Sequence, residues 1–179
     1  MSGTTLAGGP TQDEIMAVSL FKLGLRSTDT VLEIGCGTGK ISLAAARQAA
    51  KIISLDKRPE AIKISREAAR DNNVKNIDFY CAEAGDFLKT EQIFDCAFIG
   101  GTQQFSEILP VLATRVRRTI VINAVLLNTL VQAVTTLQQL DIFCEVVQLN
   151  VSRSHELAGS IMFKPIDPVF IIVGKGAAC

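Results

Sequence analysis

The segment that most constrains the fold of this chain is residues 31–40, with the sequence VLEIGCGTGK. An apolar, strand-like run leads directly into three alternating glycines, and a helical pattern follows at once. Glycine lets the backbone turn tightly and approach a ligand that any Cβ would push away, and a helix N-terminus offers unpaired N–H groups. The segment therefore predicts a nucleotide-binding corner between a β-strand and an α-helix.

The spacing of the glycines separates this corner from a dinucleotide site. Dinucleotide-binding folds use G-x-G-x-x-G to bring a helix dipole onto a pyrophosphate, whereas Gly35, Gly37 and Gly39 alternate strictly. Glu33, two residues before the first glycine, would repel a pyrophosphate but suits a cationic ligand. Asp56 ends the next apolar run, at the position where an acid binds a ribose. Together the two acids favour S-adenosylmethionine, which carries a sulfonium, an ammonium and an adenosine.

The composition limits the class of partner. The chain has 179 residues, which suits a single domain, expected over residues 11–179 after a flexible segment at 1–10. Its 18 basic and 18 acidic residues leave no overall field for nucleic acid or an anionic membrane, and with no Trp and one Tyr it has few rings for stacking bases. No metal-ligand spacing, leader segment or membrane-length apolar run is visible, and the five scattered cysteines include no C-x-x-C pair. A cytoplasmic protein acting on a small molecule, without metal, is expected.

Strand and helix patterns alternate along the chain with short connections. This alternation predicts a mostly parallel sheet covered on both faces. In the first helix, Thr11 is the expected N-cap and Glu14 completes a capping box. The C-terminal strand patterns, 143–151 and 169–173, have too short a link for a crossover helix, so we expect them to pair as an antiparallel hairpin. The other strand patterns are 30–34, 51–55, 77–81, 94–99 and 119–124, and the helical patterns are 11–23, 40–48, 59–72, 127–139 and one between the fourth and fifth strands.

Several candidate site residues follow strand ends, where ligands bind in an open parallel sheet. Glu83 follows the third strand and is either an acceptor for an adenine amino group, with the backbone N–H of Ala84 beside it, or a solvated loop acid. Gly100 and Gly101 follow the fourth strand and either let the chain pass close to the reacting methyl group or shape a turn. Asn123 ends the fifth strand, where it either faces substrate or caps the strand.

Two residues of the C-terminal third are further substrate-binding candidates. His155 is the only histidine, and near neutral pH it is either an acid or base or an inert surface residue. Arg153, together with Lys164, forms a local basic rim suited to carboxylates, because a guanidinium can hold a carboxylate with two hydrogen bonds.

Four stretches of the sequence form a pattern that extends over residues 9–175. They are GPT at 9–11, EIGCGTG at 33–39, IGG at 99–101 with EIL at 107–109, and LNVSR at 149–153 leading to DPV at 167–169. With these stretches the whole chain resembles the decarboxylating cobalt-precorrin-6B methyltransferases of cobalamin biosynthesis. Most class I methyltransferases share the glycine turn and its acid, whereas the first and last of the four stretches are particular to this family.

The resemblance implies a class I, S-adenosylmethionine-dependent methyltransferase that forms a homotetramer, with the last hairpin contributing to subunit contacts. Members methylate C-15 of a corrin precursor and release the C-12 acetate carboxyl group as carbon dioxide. His155 stands where some members have an arginine, so the groups that bind the macrocycle carboxylates stay open, with Arg153 as the first choice. The cofactor contacts that the resemblance implies are Thr11, Gly35, Cys36, Gly37, Thr38, Gly39, Asp56 and the backbone around Ala84, to which the chemistry of the site adds Glu33, Glu83 and Gly100.

Three other functions share part of this sequence pattern. A class I methyltransferase acting on tRNA or protein would keep the glycine turn, but it should show a basic face or an added recognition domain. A nicotinamide-dependent oxidoreductase would need the G-x-G-x-x-G spacing. A binding protein with a vestigial cofactor site would have no reason to retain the glycines and both acids.

Overall fold

The computed structural model describes residues 11–101 and 104–178. The expected flexible segment 1–10, with the Gly-Pro pair of the family likeness, lies outside the described residues. In chain order the described elements are α1 (Asp13–Leu23), β1 (Thr30–Ile34), α2 (Lys40–Ala45), β2 (Lys51–Asp56), α3 (Pro59–Asp71), β3 (Ile77–Cys81), α4 (Ala84–Phe87), β4 (Phe94–Ile99), α5 (Phe105–Ala113), β5 (Val116–Ala124), α6 (Leu127–Gln139), β6 (Phe143–Leu149), β7 (Ser152–Leu157), β8 (Ser160–Pro165) and β9 (Val169–Lys175).

The main sheet has seven strands in the order β3-β2-β1-β4-β5-β9-β6. The first five strands along the chain run parallel, and β9 lies antiparallel between β5 and β6. The mostly parallel sheet and the antiparallel pairing of the two C-terminal strand patterns are confirmed. The strand order changes direction at β1, which lies between β2 and β4, and a crevice for a ligand forms at such a point.

Two apolar layers form because successive side chains of a strand point to opposite faces of the sheet. In β1, Val31 packs with residues of α1 and α2, while Leu32 and Ile34 pack with residues of α5 and α6. Glu33 follows the same alternation, so its side chain points toward α2. No helix within the described ranges has the length and apolarity needed to span a bilayer.

The start of α1 differs from the sequence prediction. The helix begins at Asp13, and its N-cap residue, Gln12, makes no side-chain capping bond, so the expected capping box of Thr11 and Glu14 is wrong. Glu14 is the second residue of the helix, whereas a capping box requires the acid at the third residue. Its carboxylate pairs instead with Arg153, at 2.6 Å between Nη2 and Oε2.

The link between β6 and β9 also differs from the prediction. It is not irregular, because β7 and β8 form an antiparallel hairpin of their own, separate from the main sheet. Ala158 and Gly159, with φ of 51° and 75°, make its two-residue turn. Every residue of both strands is exposed. The hairpin has no core-facing side among the described residues, so the alternation that marks a half-buried strand is missing from its sequence.

Candidate active site

A cavity of about 650 Å³ lies at the carboxyl ends of β1, β2 and β4. The ends of these parallel strands meet at one edge of the sheet, which brings together residues far apart in sequence. Gly39 is not part of the lining and instead precedes α2 as its N-cap residue. The predicted cofactor-binding residues that line the cavity are Thr11, Glu33, Gly35, Cys36, Gly37, Thr38, Asp56, Glu83, Ala84 and Gly100.

The floor of the cavity is made of backbone. Gly35 has a φ of +82°, and a Cβ placed there would lie 2.9 Å from the carbonyl oxygen of Gly101. A Cβ on Gly100 would lie 3.0 Å from the carbonyl oxygen of Gly35. The ends of β1 and β4 therefore touch main chain to main chain, and this close packing by itself accounts for glycine at both positions.

Glu33 is a buried acid at this floor, with 2% of its surface exposed. The hydroxyl groups of Ser42 and Ser54 both donate to its Oε2, the second at 2.9 Å. Burial is the main reason that the pKa of Glu33 is raised to about 7, and the nearby charge of Asp56 adds to the rise against the two hydroxyl bonds. A cation in the cavity would favour the ionised form of Glu33.

Asp56 ends β2 and is 4% exposed. Its Oδ1 accepts from the backbone N–H and the Nε of Arg58, at 3.0 and 2.9 Å. Its Oδ2 accepts from the backbone N–H of Gly37 and the Nη2 of Arg58, at 3.0 and 2.9 Å. Burial alone would raise the pKa of Asp56, but these hydrogen bonds outweigh it and hold the pKa below its usual value. The acid is therefore fixed as an anion beside the glycine turn.

The adenine side of the predicted site is more open. Glu83 precedes α4, and its Oε1 lies 3.6 Å from the Nζ of Lys57 across the cavity wall. Ala84 is the first residue of α4, where backbone N–H groups have no partner within the helix. The prediction that these two residues contact adenine is compatible with this arrangement.

The substrate-binding candidates, apart from Gly101, lie outside the cavity lining formed by the described residues. The amide of Asn123 exchanges hydrogen bonds with the hydroxyl of buried Ser19, joining β5 to α1. The guanidinium of Arg153 is held by Glu14 through two hydrogen bonds. His155 is exposed on β7, opposite Met162 of β8.

Arg58 and Leu126 are among the lining residues that the sequence analysis did not predict. Arg58 stands two residues after the predicted ribose acid, a spacing close enough for a bond back to that acid. Leu126 lines the mouth of the cavity and belongs to an exposed apolar run, residues 125–127. The exposed fractions of Val125, Leu126 and Leu127 are 56%, 68% and 66%. Three consecutive apolar residues directly after a strand were the available signal.

Comparisons with known proteins decide the family. Residues 25–155 match a family model described as a methyltransferase domain. The chain is 44% identical over 176 residues to the "Probable cobalt-precorrin-6B C(15)-methyltransferase (decarboxylating)" of Methanosarcina mazei, covering 96% of each chain. This chain belongs to that family. The alignment with this relative covers 96% of the chain, a share that far exceeds the glycine turn alone.

Solved structures confirm the class I methyltransferase fold for this member of the cobalt-precorrin-6B C(15)-methyltransferase family. A precorrin-6y C5,15-methyltransferase from Geobacter metallireducens matches with a TM-score of 0.89 and 29% identity, over 96% of this chain and 94% of that one. A precorrin 8w decarboxylase from Methanobacterium thermoautotrophicum matches with the same TM-score and 25% identity, over 93% and 91%. Both proteins are named for chemistry on precorrins.

Proposed function

We propose that this chain transfers a methyl group from S-adenosylmethionine to C-15 of cobalt-precorrin-6B, or its cobalt-free counterpart, and releases the C-12 acetate carboxyl group as carbon dioxide. The reaction belongs to cobalamin biosynthesis. The observation that carries the proposal is the meeting of Glu33 and Asp56 on one cavity, in a chain that is 44% identical to a named relative along 96% of its length.

The residues of the cavity fit S-adenosylmethionine. Ionised Glu33 faces its cationic end, Asp56 accepts from the ribose hydroxyl groups, and the start of α4 at Ala84 faces the adenine. The main-chain floor at Gly35 and Gly101 lets the ligand come close to the sheet. When bound, the cofactor supplies a methyl group activated by a sulfonium, so this chain needs no nucleophile of its own.

The mouth of the cavity fits a flat, largely apolar macrocycle. Residues 125–127 expose three aliphatic side chains there, and Leu126 lines the cavity itself. Burying such a surface against the face of a ring system is favourable by about 25 cal/mol per Å². We assign Arg153 to a peripheral carboxylate of the macrocycle, which would replace Glu14 on its guanidinium.

The protein contributes position and exclusion of water. An electron-rich ring carbon must be held in line with the methyl group, and this alignment is worth several kcal/mol, up to roughly 7–11. Methylation makes the ring system electron-poor, so the electron pair of the neighbouring carbon–carboxyl bond can flow into it as carbon dioxide leaves. An apolar rim favours loss of the charged carboxylate, because it destabilises the carboxylate relative to neutral carbon dioxide.

We further propose a homotetramer whose subunit contacts involve the β7–β8 hairpin. The support is the exposure of large apolar side chains on a hairpin that no other described element covers. Leu157, Ile161, Met162 and Phe163 are 58%, 73%, 42% and 68% exposed. The strand register puts Ile161 and Phe163 on one face of the hairpin and Leu157 and Met162 on the other. Exposed apolar faces of this kind are typical of subunit interfaces.

Mass spectrometry tests the reaction. The purified protein is incubated with S-adenosylmethionine and cobalt-precorrin-6B, and the tetrapyrrole and the cofactor product are followed together. We expect a tetrapyrrole that has gained one methyl group and lost one carbon dioxide, with one S-adenosylhomocysteine formed for each. An unchanged tetrapyrrole would reject the assignment.

Two variants make the test specific to the site. Asp56→Ala removes the ribose acceptor and should abolish both cofactor binding and product. Asp71→Ala changes an exposed aspartate at the end of α3 and should leave both intact.

A further inference from the structure

The guanidinium of Arg58 covers the carboxylate that the ribose is expected to use. Its Nε and Nη2 each lie 2.9 Å from a different oxygen of Asp56, which is a bidentate ion pair. The two backbone N–H groups of Arg58 and Gly37 take the remaining acceptor positions, one on each oxygen. A carboxylate offers about four acceptor positions, so those of Asp56 are filled within the protein itself.

A vicinal diol and a guanidinium bind a carboxylate through the same pattern of hydrogen bonds. Each presents two parallel donors, spaced to meet the two oxygens along one edge. The two backbone donors belong to Gly37 in the glycine turn and to Arg58 at the N-cap of α3. They stay in place as long as the main chain does not move. The Arg58 side chain is the removable partner, since 37% of it is exposed and it lines the cavity.

We propose that Arg58 occupies the ribose-binding edge of Asp56 in the free protein, and that the 2′- and 3′-hydroxyl groups of the cofactor displace its guanidinium when they bind. The inference rests on the proposed function, because it describes the cofactor-free arrangement of the same cofactor site. Arg58 is thus a positioning and specificity residue, which acts through Asp56.

The exchange has a physical reason on each side. A buried carboxylate without partners is costly, and the guanidinium removes that cost while no cofactor is bound. Only a ligand with two adjacent donors replaces both lost hydrogen bonds. A ligand that lacks one hydroxyl group leaves an oxygen of Asp56 short of a donor, so the site discriminates against it. Part of the binding energy of the cofactor is spent on displacing Arg58.

Calorimetric titration with S-adenosylhomocysteine tests the exchange. Arg58→Met keeps the length of the side chain but removes the competing donors, and Arg47→Met is the matched control at an exposed arginine in the turn after α2. We expect Arg58→Met to bind roughly 3- to 10-fold more tightly than the native chain, since the displacement no longer opposes binding. Arg47→Met should bind as the native chain does.

The outcomes separate this inference from the proposed function. Native binding with equal or weaker binding by Arg58→Met would overturn the displacement and leave the cofactor site standing. Failure of the native chain to bind S-adenosylhomocysteine would overturn both.

A second measurement, solvent exchange of a side-chain N–H group, is made on the native protein. The side-chain Nε–H signal of Arg58, identified by its loss in Arg58→Lys, should be protected from solvent exchange in the free native protein. Adding S-adenosylhomocysteine should remove that protection. A signal that stays protected at saturation would show that the guanidinium does not move, and would refute the proposal.

Discussion

At the scale of single residues, the buried acid Glu33 links stability to pH. Its pKa of about 7 exceeds the value of 4.5 for an ordinary Glu, so between these pH values the folded protein keeps a proton that the unfolded chain has lost. The cofactor-free protein therefore loses stability as pH rises through this window. We expect Glu33→Gln to raise the free energy of unfolding by roughly 1–3 kcal/mol at pH 8 and by little near pH 4.5. Urea unfolding at both pH values measures this difference, and an equal effect at both would contradict it.

The same acid should make cofactor affinity depend on pH. A bound cation favours the ionised form of Glu33, so the affinity of the native chain for S-adenosylmethionine should rise up to about tenfold from pH 6 to pH 8. The rise should vanish in Glu33→Gln and persist in Glu83→Gln, which removes an exposed acid from the same cavity. Calorimetry across this range provides the measurement. A rise that survives in Glu33→Gln would assign it to another group.

Residue positions could be predicted from the sequence where they depend on local geometry. The glycine turn and the two acids could be located because they lie at or near the ends of predicted strands. All of the predicted cofactor-binding residues except Gly39 line the cavity. Partners of long side chains could not be predicted in this way. Arg153 and Glu14 are 139 residues apart, and their pairing depends on where the fold places the hairpin relative to α1. Asn123 likewise contacts Ser19 only because α1 crosses β5.

At the scale of elements, a buried ion pair joins the turn before β1 to β5. Arg118 donates to both oxygens of Asp29, at 2.8 and 2.7 Å, and Asp29 is 1% exposed. Burial alone would raise the pKa of Asp29, but the bonds from Arg118 and the Arg26 N–H outweigh it and lower the pKa. This acid therefore stabilises the fold above its ordinary pKa of 3.8, and the contribution is lost as pH falls through the lowered pKa.

Breaking this pair should be costly, because it leaves the partly buried guanidinium of Arg118 without its carboxylate. We expect Asp29→Asn to lower the free energy of unfolding by about 2–4 kcal/mol at pH 7, with a smaller loss below pH 3. Asp86→Asn breaks the exposed pair with Lys89, which solvent screens, and should cost much less. Denaturant unfolding of both variants gives the comparison, and equal costs would mean that burial does not matter here.

The turn of the β7–β8 hairpin carries a strained alanine. Ala158 has a φ of 51°, which a residue with an ordinary Cβ rarely adopts and asparagine tolerates better. We expect Ala158→Asn to stabilise the hairpin by roughly 0.5–1 kcal/mol, seen as slower hydrogen exchange of the cross-strand amides. Ala17→Asn, at an exposed helical position of α1, should give no such protection. Faster exchange in Ala158→Asn would show that the turn does not limit hairpin opening.

Elements with a buried face could be predicted well. The bounds of β1, β4 and α6 agree with their sequence patterns because each repeats apolar residues at the spacing its structure requires. The β7–β8 hairpin could not be predicted, since it is exposed on both sides and carries no such repeat. The two C-terminal strands of the main sheet were expected to be adjacent, and they are, on either side of the residues that form that hairpin.

At the scale of the whole molecule, the hairpin is the part expected to hold subunits together. Ile161 and Phe163 alternate along β8 and so share one of its faces. Changing both to Glu should place charges in the proposed interface and release protomers. Light scattering after size exclusion should then report a smaller mass, while S-adenosylhomocysteine still binds. Phe21→Glu, at an aromatic residue of α1 that is 79% exposed, is the control and should leave the mass unchanged. A native chain that is already monomeric would reject the tetramer.

The backbone contact between Gly35 and Gly101 limits how this enzyme can diversify. Peptide groups are the same whatever residues surround them, and a side chain added at Gly35 would collide with the facing carbonyl. Natural selection therefore has little freedom to remodel the base of the cavity. Under the proposed function, new acceptor specificity would arise in exposed segments such as residues 125–127, while the base of the cavity stays constant.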